Sequence, residues 1–431
     1  MANRIRVFTI AVLATIALQT TQQAAYGRDS LDDNSPTAAL SLEQAVALGI
    51  ERTPQLEAQA AAIDAAQSES IAAGRLPDPQ LVLGVDNLPV NGDDAWSFDR
   101  DFMTMRRIGV MQSFPNARKR SSQRERAAAA VSVAQSQARQ TQVEIAGATA
   151  TAWVAAYAAE LAREKLLMLK PEVELQAQAA RTALGSARGS TVDALAAQSE
   201  VSDLNDRLLQ AQRDVQSARA ALARWIGEDA GRTLATDPQF TELPVPREKL
   251  LASLRRHASL LTFDAQRALA QSEIDLARAE KRPNWSAELA YSKRGDAFSD
   301  MVSLEFRIGL PLFSGSRQDP LISAKRAQLT RLDAQREAEL RMHFAEVTSA
   351  LAAWDTAHQR IQLYESERLP LARQRSQAAL SGFQAGRTEL SAVMASHIAE
   401  IEVQRSYVEL VRELGQAWVF LRYLELGREA S

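Results

Sequence analysis

Two short segments of the chain alternate apolar and polar side chains in the way a β-strand does. In the segment 301–313 six apolar residues fall on one parity, and Ser303, Glu305, Arg307 and Gly309 fall on the other, which is the pattern of a strand with one apolar face. The apolar parity consists of Val302, Leu304, Phe306, Ile308, Leu310 and Leu312. The segment 101–114 repeats the pattern, with Arg107-Ile108-Gly109 in the place of Arg307-Ile308-Gly309. We therefore predict that the chain is a tandem duplication.

The same order of predicted elements surrounds both copies of this strand. Each repeat begins with a helix, passes through a β-hairpin, and ends with a very long helix, a tight turn and a return helix. The first repeat is predicted at 41–227, with strands near 79–87 and 101–114. An equatorial linker at 228–246 joins it to the second repeat at 247–427, which has strands near 284–292 and 301–313. A tail at 428–431 follows. Such a long period indicates one supersecondary module used twice, because solenoid repeats are much shorter.

The longest helical segment has a heptad pattern built largely from alanine. It is predicted to run from about 118 to 184, and Pro171 is the one residue in it that could end a helix. Such a helix would extend roughly 100 Å at 1.5 Å per residue. In the second repeat, Pro370 and Trp354 stand where Pro171 and Trp153 stand in the first. Small side chains on such helices allow close approach of their neighbours, so we expect long helices packed side by side.

The start of the chain has the pattern of an export signal. Arg4 and Arg6 precede an apolar run at 7–18, which predicts a signal peptide at 1–27 followed by a polar leader at 28–40. The chain contains no cysteine, which excludes disulfides, thiolate metal sites and a lipid attached to an N-terminal cysteine. No other apolar run is long enough for a membrane-spanning helix. An exported chain of this kind is either soluble outside the cytoplasm or part of an outer-membrane β-barrel.

Charge and motifs give no indication of catalysis. The formal net charge of −3 gives no reason to expect a nucleic acid as partner. The four histidines, His257, His343, His358 and His397, are scattered, with no i, i+4 pair and no carboxylate cluster expected near them. Phosphate-binding loops, dinucleotide fingerprints and metalloprotease motifs are absent from the sequence. We predict a protein that is not an enzyme and that has no cofactor and no metal site.

The predicted strands require more than one copy of the chain. They are long enough to cross a hydrocarbon core when tilted, but four strands cannot close into a barrel, which needs about eight or more. Three copies would supply about twelve strands, an even antiparallel number with no open edge. We therefore predict a mainly α protein with a transmembrane β-barrel: a homotrimeric, 12-stranded barrel with four strands from each chain, continued by a periplasmic α-helical barrel.

The whole mature chain resembles the outer-membrane efflux proteins of the TolC family. The resemblance rests on the duplicated helix–hairpin–helix plan, on the strand ends Ser113-Phe114-Pro115-Asn116 and Leu312-Phe313-Ser314-Gly315, and on the turn Phe383-Gln384-Ala385-Gly386-Arg387-Thr388. It implies a trimeric exit channel in the outer membrane, docked to a periplasmic adaptor (membrane fusion) protein and an inner-membrane RND pump. The segment 101–107 is most similar to the heavy-metal branch (CzcC/CusC-like), which implies heavy-metal cations as substrates.

Two alternatives stay open. An outer-membrane duct for organic drugs or for type I protein secretion has the same plan. A periplasmic coiled-coil structural protein would share the heptads, although it would leave the apolar faces of the strands unexplained.

The resemblance also implies residue roles. The adaptor-docking turns are Arg188, Gly189, Ser190, Gly386, Arg387 and Thr388, and the candidates for a tunnel constriction are Glu389, Ser391, Met394, His397 and Glu400.

Strand parity separates the residues expected to face lipid from those expected to face the barrel lumen. The lipid-facing candidates are Ile108, Val110, Val302, Leu304, Phe306, Ile308 and Leu310, and the lumen candidates are Met103, Met105, Met111, Glu305 and Arg307. Thioether sulfur atoms suit copper(I) or silver(I). Flexible methionines that simply fill a narrow barrel are the alternative.

Overall fold

The first helices begin at their sequence signals. In the computed structural model, which describes residues 39–186, 189–236 and 238–424, Ser41 caps α1 (Leu42–Arg52) in a capping box with Gln44. Pro54 then starts α2 (Pro54–Ala72) because proline is well suited to the first turn of a helix. The predicted signal peptide at 1–27, the tail at 428–431, the leader up to residue 38 and Arg188 lie outside the described residues.

Both repeats follow the predicted order of elements. The first continues with β1 (Gln80–Asp86), β2 (Met105–Phe114), α3 (Ala117–Gly185) and α4 (Thr191–Ile226). The second consists of α5 (Arg247–Ser253), α6 (Ala258–Ala279), β3 (Trp285–Lys293), β4 (Met301–Ile308), α7 (Gln318–Leu363), α8 (Leu369–Gln384) and α9 (Leu390–Tyr423). Among the described helices, none is both long and apolar enough to span a membrane.

The two repeats differ at their prolines. The helix α3 runs through Pro171 without interruption over 69 residues, whereas a π-helical turn, Tyr364–Arg368, separates α7 from α8. Pro370 then lies in the first turn of α8, where its missing N–H leaves no hydrogen bond unmade. The helix predicted at the start of the second repeat is likewise broken, because His257 adopts a non-helical backbone conformation (φ −59°, ψ 145°) and caps α6.

The four strands form one antiparallel sheet in the order β1-β2-β3-β4. Each repeat supplies one hairpin, and β2 pairs with β3 to join them, with Ile108 opposite Tyr291. The outer strands β1 and β4 each have one unpaired edge in this sheet. The helices attach at one end of the sheet, and the hairpin loops lie at the other.

Two predicted strand boundaries were wrong. The strand β2 begins at Met105 instead of 101, because the Asp101 carboxylate accepts a hydrogen bond from the Met103 N–H (2.7 Å) and forms a turn. Met103 therefore lies in the loop and not on a strand face. The strand β4 ends at Ile308, so Leu310, which precedes a proline that has no N–H to donate, lies beyond the sheet with an exposed side chain.

The main core lies where the two repeats meet around two equivalent tryptophans. Trp153 donates its indole N–H to the Leu40 carbonyl (3.1 Å), and Trp354 donates to the Phe240 carbonyl (3.0 Å). Both side chains are buried. Leu40 also forms a parallel bridge with Leu234, so the segment before α1 and the segment between the repeats pack together against the long helices.

Candidate functional site

One face of the sheet is apolar and uncovered. The register places four side chains in one row and four in the next. These rows are Leu81, Val110, Leu289 and Leu304, then Leu83, Ile108, Tyr291 and Val302, with each side chain 45–71 % exposed. Phe306 and Ile308 extend the same face toward the helices, where Phe114 stacks on Trp285 with ring centroids 4.1 Å apart. A contiguous apolar surface of this kind indicates contact with another molecule or with lipid.

The opposite face of the sheet carries a ladder of paired charges, which we call the charge ladder: Asp86, Arg107, Glu288, Glu305 and Arg307. Arg107 lies 3.5 Å from Asp86 and 3.7 Å from Glu288, measured between nitrogen and oxygen atoms. Arg307 lies 3.0 Å from Glu288 and contacts Glu305 through two nitrogens at 2.7 and 3.1 Å. The ladder therefore links all four strands, and Glu288 beneath its two arginines is only 3 % exposed.

Small residues make room for the charge ladder. Gly109 lies directly opposite Ala290, between the rows that hold Arg107 and Glu288. A Cβ atom on Gly109 would lie 2.9 Å from the Ala290 Cβ, so a larger residue there would displace the neighbouring strand. The absence of bulk at these two positions leaves space for the Arg107 side chain to reach Glu288.

The predicted lumen candidates share the face of the charge ladder, with Met103 as the exception. Met105 and Met111 lie on this face by register, and the Met111 sulfur is 3.3 Å from an Arg307 nitrogen. The sequence analysis missed Asp86, Arg107 and Glu288 as members of one site. The available signal was the polar parity of 286–292, but parity does not show which strand lies alongside.

The two helical turns have different backbone geometries. Gly386 adopts a positive φ of 67°, and the next N–H, that of Arg387, donates to the Gly382 carbonyl (2.8 Å). The Thr388 hydroxyl donates to the Ala379 carbonyl (3.0 Å). In the first turn the Gly189 N–H donates to a carbonyl of α3 (3.0 Å), and Ser190 caps α4. Arg387 is exposed, whereas Arg188 lies outside the described residues.

The constriction candidates separate into exposed and buried groups. Glu389 and Ser391 are exposed at the start of α9, with the serine hydroxyl donating to the glutamate carboxylate (3.2 Å), and Met394 is half-buried. His397 and Glu400 are buried within the protomer, where the His397 Nε2 lies 2.8 Å from the Gln176 Nε2. Only Glu389 and Ser391 are thus placed where a side chain reaches solvent.

Glu200 is a buried acid that the sequence analysis did not identify. It lies on α4, is almost fully buried, and lines a small cavity with Val173 and Met394 from the adjacent helices. Burial, and secondarily the charge of Asp203, raises the pKa of Glu200 to about 7. The heptad pattern did not predict that Glu200 is buried, because it assigns the neighbouring residue Val201 to the core.

We expect the Glu200→Gln variant to remove a pH dependence of helix stability. The pKa of Glu200 is raised from 4.5 to about 7 on folding, so its contribution to stability is fully present below pH 4.5 and is lost as the pH rises toward 7. Chemical denaturation followed by circular dichroism should therefore show a smaller decline for Glu200→Gln over this range. Asp206→Asn, which changes an exposed carboxylate on the same helix, is the control, and equal pH profiles for the two variants would contradict the assignment.

Two of the histidines expected to be scattered lie together. The rings of His257 and His343 are 4.3 Å apart, and the Ser259 hydroxyl lies 2.9 Å from one and 2.8 Å from the other. Glu339 and Glu346 flank His343 at 3.1 Å, so the expectation of no nearby carboxylates was wrong. Burial, and secondarily His343, lowers the pKa of His257 to about 4. Within the described residues, no group of three or more histidine or acidic side chains is arranged to hold a metal ion.

Comparison with known proteins gives a family match over part of the chain and similar folds over most of it. Residues 251–424 match the family model described as outer membrane efflux protein. No curated protein sequence matches the chain. Among solved structures, a membrane protein from Pseudomonas aeruginosa is similar with a TM-score of 0.76 at 16% identity, covering 89% of this chain and 90% of that one.

Two further solved structures have the same fold. The outer membrane protein VceC from Vibrio cholerae has a TM-score of 0.73 at 17% identity, covering 89% of this chain and 95% of that one. CusC, described with reference to transmembrane channel formation, has a TM-score of 0.75 at 14% identity, covering 91% and 95%. Identities this low establish the fold alone. Residues 251–424, most of the second repeat, are thus similar to the outer membrane efflux protein family, and the described chain shares its fold with these solved structures.

Proposed function

We propose that the protein is the outer-membrane exit channel of a tripartite efflux system. The observation that carries the proposal is the uncovered apolar face of a four-stranded sheet whose opposite face holds the charge ladder. Apolar rows outside and charges inside are the arrangement of a membrane-embedded barrel wall around a watery lumen. The helices α3 and α7, which continue from the sheet, extend the duct into the periplasm.

Three copies of the chain complete the wall in this proposal. The unpaired edges of β1 and β4 are templates for pairing with another strand. In a homotrimer, β4 of one copy pairs with β1 of the next, and three sheets close a barrel of about twelve strands. In the closed barrel, the backbone groups at every strand edge are hydrogen-bonded to a neighbouring strand, and each apolar face contacts lipid.

Membrane fractionation and trimer analysis test this function. We expect the protein in the outer-membrane fraction, as a trimer that resists dissociation until it is heated, and we expect ion conductance when it is reconstituted into planar bilayers. A monomer in the soluble periplasmic fraction would reject the channel and favour the coiled-coil structural protein.

The turns at the far end of the long helices are the proposed docking sites for the adaptor, which in turn connects to an inner-membrane RND pump. We expect Gly386→Val to abolish efflux without loss of the trimer, because a β-branched residue is strained at a φ of 67° and deforms the turn. Gly386→Asn, which tolerates this backbone conformation, is the control and should retain efflux. Drug or metal tolerance and trimer yield are the measurements, and normal tolerance in Gly386→Val would reject docking at this turn.

Heavy-metal cations are the proposed substrates. The support comes from Met105 and Met111, whose soft sulfur atoms share the inner face of the sheet with three carboxylates of the charge ladder. A duct for organic drugs or secreted proteins is the second candidate, since a large tube does not by itself select its cargo. A deletion strain that becomes sensitive to copper or silver supports the first candidate, whereas one that becomes sensitive only to organic compounds supports the second.

A further inference from the structure

We propose that Arg106 and Lys293 form a binding site for a phosphate-bearing lipid headgroup at the loop end of the apolar face. The inference rests on the proposed function, because it requires this face to lie in a membrane. It assigns a role to two cations that neither the channel wall nor the charge ladder uses.

The two cations face each other across the sheet. Arg106 on β2 lies directly opposite Lys293 on β3, and both side chains are exposed. They share the face of Ile108 and Tyr291, because residues two positions apart on a strand point the same way. Like charges directly opposite one another destabilise a pair of strands. Two cations at this register that are not paired with an anion therefore lower the stability of the sheet.

Neither member of this pair is held by a carboxylate among the described residues. Arg107 and Arg307, the other arginines of the sheet, are ion-paired to Asp86, Glu288 and Glu305. Neither Arg106 nor Lys293 forms an ion pair anywhere in 39–186, 189–236 and 238–424. One position past the last pair of β3 and β4, Ser292 with Met301, the register brings Asp300 opposite Lys293. The Asp300 carboxylate accepts a hydrogen bond from the Tyr291 hydroxyl and forms no ion pair with Lys293. An external anion is therefore the partner that this arrangement lacks.

The position of the pair identifies the kind of anion. The apolar rows end at Ile108 and Tyr291, and the row of Arg106 and Lys293 follows immediately. The hairpin loops 87–104 and 294–300 begin beside it, at the end of the sheet opposite to the helices. In a membrane this row lies at the boundary between hydrocarbon and headgroups, on the side away from the periplasm. Long basic side chains at such a boundary extend toward phosphate groups, and Tyr291 in the adjoining row is a residue type favoured there.

Lipid-dependent thermal unfolding of the purified trimer tests the site. We expect phosphorylated lipid A to raise the unfolding temperature, and dephosphorylated lipid A and inorganic phosphate to have little effect. The shift should be lost in the double variant Arg106→Gln/Lys293→Gln. It should be retained in Lys119→Gln, which removes a cation that is paired with Glu280 near the helix end of the sheet.

The same variant also has a predicted behaviour without lipid. In detergent alone, the double variant should be at least as stable as the unmodified trimer, because neutralisation removes the repulsion across β2 and β3. An undiminished lipid A shift in the double variant would overturn the site, and an equal shift with inorganic phosphate would overturn the lipid assignment. If the unmodified chain forms no trimer and does not enter membranes, the proposed channel function fails instead, which is a different result.

Discussion

The Phe306→Arg variant is expected to lose stable membrane assembly, at a cost of about 2–4 kcal/mol for each chain if this position lies near the bilayer midplane. Phe306 is 60% exposed on the apolar face and lies opposite Ala287, with Leu304 and Ile308 on either side along β4. A guanidinium in this place must be buried in hydrocarbon or must distort the sheet to reach water. The measurement is the yield of heat-resistant trimer in the outer-membrane fraction, together with the urea midpoint of trimers reconstituted in bilayers.

The matched control for this variant is Ser303→Arg. Ser303 is exposed on the same strand, on the face of the charge ladder. It is a cleaner control than Glu305 on the same face, because the Glu305 carboxylate accepts a hydrogen bond from Arg307. We expect near-normal trimer yield from Ser303→Arg. Equal losses in the two variants would show that the two faces of the sheet do not differ in environment.

Trp153→Ala is expected to destabilise the helical part by about 3–5 kcal/mol, the range for removal of a buried aromatic side chain. Trp153 is 1% exposed and packs parallel to Tyr157 with ring centroids 5.5 Å apart. Its removal leaves a cavity at the junction of the two repeats. Denaturant unfolding followed by circular dichroism measures the loss.

Trp153→Phe separates the contribution of packing from that of the hydrogen bond. Phenylalanine keeps most of the ring but cannot donate to the Leu40 carbonyl, which still accepts a bond from the Ala235 N–H (3.1 Å). We expect this variant to lose about 1 kcal/mol, the usual net contribution of a hydrogen bond. Losses of the same size in the alanine and phenylalanine variants would indicate that filling of the cavity is not what stabilises this junction.

Signals local to one element predicted most of the fold. The heptad that predicted the long helix α3 depends on residues three and four positions apart, and the helix is present in the structure. For the residues that lie within β2 and β4, strand parity also separated the two faces of the sheet, because alternation is a property of a single strand. Met103 and Leu310 fall outside these strands.

Contacts between distant elements could not be predicted in the same way. The link from Arg107 to Glu288 depends on the pairing of β2 with β3, which alternation within one strand does not specify. The packing of His257 on His343 depends on how α6 lies against α7. The start of β2 was misplaced because the side chain of Asp101 competes for a backbone N–H that a longer strand would have used.

The unpaired edges of β1 and β4 have a consequence for biogenesis. A single chain that forms this sheet exposes two unpaired strand edges and an apolar face, which are the features that lead to misassembly between chains. The helices have their own core around Trp153 and Trp354 and do not share this hazard. If the chain assembles as the proposed trimer, the correct folding of the sheet therefore depends on protomer concentration and on holdase protection until neighbouring copies supply the missing strands.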